Sequence, residues 1–277
     1  MSSWSMVASG QQVSRLPELA YGHPHPLLAA HVLTYTAHDY VHPEPMPWRF
    51  VPLCAVSVGI DLVAPPRSGM PPSPVLGLRD RPLDAVEEPG HTSGIALGLT
   101  PLGAHALFGL PLGELANQVV ALSDVLGPDA VRLTERLAET PGWAARFRLL
   151  DTELLTRLRT APVLARPVRG AWHRLTSSHG RVRIADLADE LGWTRQHLAA
   201  RFREHIGLTP KTVARMARLN RAVTLLPGRP PADVALACGY ADQAHLNRDF
   251  RLLTGSTPSA YPPADPPRLS AVGRDRA

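Results

Sequence analysis

The 277-residue chain has only two cysteines, Cys54 and Cys238, and a single lysine, Lys211. The cysteines stand far apart and in different candidate domains, so no disulfide framework is expected and a reducing, cytoplasmic setting fits. No stretch approaches the ~18 uninterrupted apolar residues that a membrane-spanning helix needs. The N-terminus lacks the basic start and apolar run of a secretory signal. Neither a membrane partner nor export is expected. A Ser/His/Asp set, a glycine-rich phosphate loop and a paired-carboxylate motif are also missing, so no catalytic residue and no cofactor is assigned. What is present is ordinary globular material: apolar residues make up 44% of a chain long enough for two domains.

Charge is unevenly spread. Residues 1–160 hold 11 Arg and no Lys against 15 Asp and Glu, a net of −4, whereas residues 161–277 hold 18 Lys and Arg against 9 Asp and Glu, a net of +9. The basic surplus belongs to the second half alone and points to a polyanion partner, most simply nucleic acid. A solvated basic surface is the plain alternative that charge alone leaves open.

Texture divides the chain further. From about 27 to 100, short β-like runs mix with Pro and Gly. Ala30–Tyr35, Arg49–Leu62 and Gly94–Leu99 are the best strand candidates, with Val56, Val58, Ile60 and Leu62 alternating as in a half-buried strand. The five prolines of Ala64–Pro74 predict a loop. Residues 101–160 turn helical in spacing. Thr140-Pro141 offers an N-cap and a first helical position, and Trp143, Phe147, Leu150, Leu154 and Leu158 then mark one apolar face. That face is expected to pack within the chain, with a second subunit as the other candidate. Residues 161–168 read as a linker and the proline-rich 263–277 as a disordered tail. The fold class expected is α+β: a β-rich domain followed by helices, then an all-α domain.

The segment 184–258 contains an internal repeat. Asp186-Leu187-Ala188, three residues and Gly192-Trp193 recur as Asp233-Val234-Ala235, three residues and Gly239-Tyr240. Then come His197-Leu198, Phe202-Arg203, Gly207 and Thr209-Pro210, matched by His245-Leu246, Phe250-Arg251, Gly255 and Thr257-Pro258. The offset is 47 residues before the turn and 48 after it, so the second turn has gained one residue. Each position has a physical role. Ile184, Leu187, Ala188 and Leu191 form one face of a short helix, and Gly192 ends it where a left-handed backbone is cheap. Thr194 and Asp242 can cap the helices that follow. Leu198, Phe202 and Ile206 form the next buried stripe. This is helix, glycine turn, helix, with the second helix free to enter a major groove. Between the copies, Pro210–Leu226 predicts a helix, a rod of roughly 25 Å at ~1.5 Å per residue. Two such second helices on one rod could reach successive major grooves, about 34 Å apart on one face of DNA.

The motif Asp-Val-Ala-x-x-x-Gly-Tyr-x-Asp-Gln-x-His-Leu-x-Arg-x-Phe-Arg-x-x-x-Gly-x-Thr-Pro over 233–258, with Arg218-Leu219-x-Arg221-Ala222 before it, resembles the DNA-binding domain of the AraC/XylS family of bacterial regulators. The resemblance covers 169–262. It implies a seven-helix unit on one DNA face, usually an activator working with RNA polymerase, and a homodimer formed through another domain. By position, it puts base-facing residues at Arg195, Gln196, Ala199 and Ala200 in the first unit, and at Gln243, Ala244, His245, Asn247 and Arg248 in the second. Arg can pair with guanine and Gln or Asn with adenine in two-point fashion. Ala200 departs from the pattern, since many relatives carry Arg there.

The run Leu99–Ala104, continued by Leu107–Pro111, resembles the N-terminal domain of one AraC-type subgroup. A cupin-like β-fold with a helical dimerisation element is compatible with it. Residues 1–160 are therefore expected to sense a small-molecule effector and to dimerise, the effector residues being unknown. Two alternatives stay open: a constitutive DNA-binding regulator whose N-terminal half only dimerises, and a metal-dependent cupin-type enzyme fused to a DNA-binding domain. His23, His25, His31, His38 and His42, with Asp39 or Glu44, are the residues such a metal would use, but spacings of 2, 6, 7 and 4 match no metal motif, and neighbouring prolines predict exposed loops. No metal is expected. The closely spaced cysteines of a zinc-held methyl acceptor, found in DNA-repair relatives, are absent, and both cysteines read as small buried apolar groups.

Overall fold

A computed structural model describes residues 6–8 and 18–261; the proline-rich 263–277 lie outside the described residues. The N-terminal half is β-rich and the rest helical. Two antiparallel sheets form the β-region. One runs β1–β4–β7 (Met6–Ala8, Met46–Phe50, Leu83–Glu87). The other runs β2–β3–β8–β5–β6–β9 (Glu18–Gly22, Val32–His42, Gly90–Leu99, Val56–Val63, Pro74–Leu76, Val119–Ala121). Val56, Val58 and Ile60 alternate inward on β5, paired with Leu99, Leu97 and Ile95 of β8. The run Arg49–Leu62 is broken: 51–55 leave the sheet, so Cys54 lies in a bend and not in a strand. Between the sheets sits a buried polar cluster. Glu87, 2% exposed, accepts from Trp48 Nε1 at 2.9 Å and from the Thr92 hydroxyl, with Arg67 Nε 3.6 Å away. Arg67 also forks onto Asp61.

Helices follow: α1 (Pro101–Phe108), α2 (Leu122–Leu126), α3 (Pro128–Glu139) and α4 (Trp143–Leu158). Thr100 caps α1 by accepting from Gly103 N–H, and Pro101 fills the position where no amide is needed. The sequence places the α4 cap wrongly. Thr140 closes α3 instead, its hydroxyl on Arg136 O at 2.7 Å, and Gly142 at φ 78° opens α4. The apolar face of α4 packs within the chain: Phe147 stacks on Tyr35 of β3 with centroids 5.6 Å apart, and Leu150 and Leu154 are buried.

Six helices complete the described chain: α5 (Arg166–Ser177), α6 (Ile184–Glu190), α7 (Arg195–His205), α8 (Pro210–Leu225), α9 (Pro231–Ala237) and α10 (Gln243–Thr254). Their buried side chains fall into two clusters. The larger runs from the β-region through Trp172, Leu187, Leu198 and Phe202 as far as Met216 of α8. The smaller begins at Leu219 and holds Val234, Leu246, Phe250 and Leu253. The break in packing therefore falls inside α8. No described helix is long and apolar enough to cross a membrane.

Candidate nucleic-acid interface

The two repeats fold alike, atom for atom in several places. Gly192 (φ 66°) and Gly239 (φ 77°) take the left-handed conformation at the turns. Trp193 N–H donates to Ala188 O, and Tyr240 N–H to Ala235 O, both at 2.9 Å. The same aromatic then meets the same histidine edge-on: Trp193 and His197 at 4.6 Å, Tyr240 and His245 at 5.2 Å. Thr194 caps α7 by accepting from His197 N–H at 3.1 Å, and Asp242 caps α10 by accepting from His245 N–H at 2.6 Å. The extra residue of the second turn is absorbed before this cap, leaving the helix that follows in register.

Each second helix buries one stripe and shows the other face to solvent. Leu198 and Phe202 anchor α7, and Leu246 and Phe250 anchor α10. On α7, Arg195, Gln196 and Ala200 are exposed and Ala199 is half-buried. On α10, Gln243, Ala244 and Arg248 are exposed, while His245 and Asn247 are half-buried. All nine base-facing candidates thus lie on or beside the open faces of α7 and α10. Arg248 has no ion-pair partner among the described residues. Its neighbour Asp249 is turned inward and holds Arg215 of α8 at 2.8 Å. That pair, which sequence spacing does not reveal, fixes α10 on α8 and leaves Arg248 uncommitted.

The N-terminal half meets the first unit at the opposite end of α7. The 3-10 turn Leu112–Leu115 packs so closely there that a Cβ on Gly113 would stand 2.7 Å from Arg203 O, and one on Gly207 2.9 Å from Leu112 O. Gly207, at φ 100°, is required by its conformation as well. The Asn220 amide of α8 bridges Met216 O and the Cys54 amide, 3.2 Å each, and Cys54 Sγ lies 3.8 Å from Val213 O. This joint covers the C-terminal end of α7 and leaves its N-terminal turns open. Burial pushes the Cys54 thiol up to about 12 and raises that of Cys238, which disfavours the thiolate at both.

The histidines of the N-terminal half do not gather. His25 caps the 3-10 turn Pro26–Leu28 and His23 is exposed. His38 and His42 lie on β3, and His42 is buried with Nδ1 on Glu44 O at 2.8 Å, contrary to the loop expected from Pro43. Asp39 pairs with His91 instead. Among the described residues no three His, Cys, Asp or Glu side chains are placed to hold a metal ion.

Comparison with known proteins agrees with this geometry. Residues 187–262 match the helix-turn-helix domain family. The chain is 36% identical over 66 residues to the uncharacterized HTH-type transcriptional regulator YbfI of Bacillus subtilis, and 29% identical over 83 residues to the probable transcriptional regulator LumQ of Photobacterium leiognathi. These matches cover 24% and 29% of this chain, and 24% and 34% of the relatives. The chain thus spans about a quarter to a third of the length of the curated relatives it matches. The crystal structure of ToxT from Vibrio cholerae aligns over 81% of this chain and 96% of its own, at 12% identity and a TM-score of 0.47. The C-terminal segment is a DNA-binding domain of the double helix-turn-helix class. Within it, residues 187–262 are a helix-turn-helix domain by sequence as well as by fold.

Proposed function

We propose that this protein is a sequence-specific, DNA-binding transcriptional regulator, an activator responsive to a small-molecule effector. The observation that carries the reading is the repeated unit: two capped second helices, built on the same hydrogen bonds, each with an open polar face, in the half of the chain that bears the +9 charge. Residues 169–262 bind duplex DNA, and residues 1–160 sense and dimerise across the 161–168 connection. The joint at Gly113 and Gly207 gives the N-terminal half a direct mechanical hold on α7, which is what an effector-driven response needs. Contact with RNA polymerase follows from the family resemblance. The reading assigns no catalytic role, metal or cofactor.

The two units divide the labour. Arg248, Gln243 and Asn247 give α10 three side chains able to bond base edges, whereas Ala199 and Ala200 give α7 only methyl contacts beside Gln196 and Arg195. α10 therefore carries more hydrogen-bonded readout, and α7 relies more on positioning contacts to phosphate. Arg248→Ala should cost about 1–3 kcal/mol and relax the preference at one or two base pairs. Binding-site selection from a randomised duplex pool, run on wild type and variant, tests this. An unchanged preference with uniformly weaker binding would remove the base-reading role, and failure of the wild type to enrich any sequence would sink the regulator itself.

Self-association is the second expectation. The α4 stripe cannot serve it, being buried inside the chain, but Leu19 on β2 and Val131 on α3 are exposed. Sedimentation of the full chain at micromolar concentration should give a dimer; a monomer both with and without DNA would refute it.

A further inference from the structure

The loop between α5 and α6 is wedged between α8 and the second unit. Its residues His179 (φ 51°) and Gly180 (φ 72°) are both left-handed, a conformation uncommon for a residue with a side chain. Gly180 lies against α8 so tightly that a Cβ there would overlap Ala214 O, and Arg218 Nη1 donates to its carbonyl at 3.3 Å. From this wedge the Arg181 stem runs across the turn of the second unit, 3.2 Å from where a Gly239 Cβ would stand. Arg218 lies over the Tyr240 ring of the same turn, 5.5 Å from its centroid. Arg221, one turn further along α8, completes the group. Partial burial, then the charges of Arg221 and Arg181, hold the His179 imidazole below the ordinary histidine range.

This cluster is uncompensated. Arg181, Arg218 and Arg221 make no ion pair among the described residues, whereas Arg174, Arg183, Arg201 and Arg215 of the same half all do. His179, Arg181 and Arg221 are exposed. Their location has a consequence for a bound duplex. Two second helices in successive major grooves enclose one stretch of backbone on the protein side. The Gly239 turn leads directly into the N-terminus of α10, the end that enters the groove, so the arginine stem crossing it stands beside that backbone.

We propose that His179, Arg181 and Arg221 form a phosphate clamp that grips the DNA backbone between the two recognition helices. The clamp rests on the DNA-binding reading above and adds to it a site that no base-reading residue supplies. Because its three members come from the loop that opens the first unit and from α8, and the loop is seated on the second unit's turn, phosphate engagement there also holds the spacing of the two units. Its contribution is independent of sequence, as phosphate contacts are.

The test uses the full chain and a mixed-sequence duplex several helical turns long, titrated across a salt series. Arg181→Ala and Arg221→Ala should each reduce the slope of log affinity against log salt by about one, and weaken binding several-fold on every duplex alike. Arg181→Lys and Arg221→Lys should restore the slope, and Arg132→Ala on α3 should leave it unchanged. Arg221 sits on an exposed helix face, so its variants report even where Arg181→Ala loosens the loop. Wild-type slopes in both alanine variants would overturn the clamp while leaving the DNA-binding reading intact. So would losses confined to one selected sequence. A wild-type chain that binds no duplex would overturn both.

Discussion

Raising salt from about 50 to about 200 mM should lower the affinity of the full chain for duplex DNA by about 10³-fold or more. The magnitude follows from the number of cations free to meet phosphate. Counterions condensed on DNA are released as each phosphate is neutralised, so six to ten contacts give about 10³ to 10⁵ over this range. The C-terminal half offers a set of that size. Arg166, Arg169, Arg195, Arg203, Lys211, Arg229, Arg248 and Arg251 join Arg181 and Arg221, none of them ion-paired among the described residues. The N-terminal half has no such surplus: its 11 arginines face 15 Asp and Glu, and Arg49, Arg67 and Arg157 are held by Asp84, Asp61 and Asp129. Equilibrium binding measured by fluorescence anisotropy across the range decides the matter. An affinity that stays flat would mean that α7 and α10 do not meet a polyanion at all.

Phe202→Ala and Phe250→Ala should each cost about 3–5 kcal/mol, yet damage different parts of the molecule. Both rings are fully buried and occupy equivalent repeat positions. Phe202 belongs to the cluster that is continuous with the β-region, so the cavity it leaves loosens α5 to α7 and the joint at Gly113. Phe250 belongs to the smaller cluster beyond Leu219, packed edge-on against Tyr261 at 5.1 Å. Hydrogen exchange followed by mass spectrometry should show Phe250→Ala losing protection only from about 219 onward, with α7 unchanged. Phe202→Ala should lose protection through α5 to α7 and in the segment 110–116. If the two variants exposed the same amides, the second unit would not be a separate packing body.

The DNA-binding half was legible because its signals are local. A glycine after a short apolar face, a hydroxyl or carboxylate at a cap, and a repeat offset of 47 or 48 residues each dictate geometry within a few residues. The turns at Gly192 and Gly239, the caps at Thr194 and Asp242, and the buried stripes all follow from that. The β-region was less legible. Arg49–Leu62 reads as one apolar run, but the chain leaves the sheet at 51–55 to reach α8, a contact made with residues some 160 positions away. The start of α4 was misread for a similar reason: Thr140 was available as an N-cap, but α3 claimed its hydroxyl from the other side.

Two helix-turn-helix units, the outward-facing helix of each, and the seat of the positive charge can all be read along the chain. Which cations are free is a matter of tertiary packing. Asp249 stands next to Arg248 in sequence yet bonds Arg215, and Arg181 reaches the Gly239 turn from a left-handed loop pressed on α8. Tertiary packing also made the first unit's apolar core continuous with the N-terminal half and gave the second unit a core of its own. Caps and turns are encoded by neighbours along the chain. Ion-pair choice and the continuity of a core depend on which distant surfaces meet, and no spacing in the sequence records that.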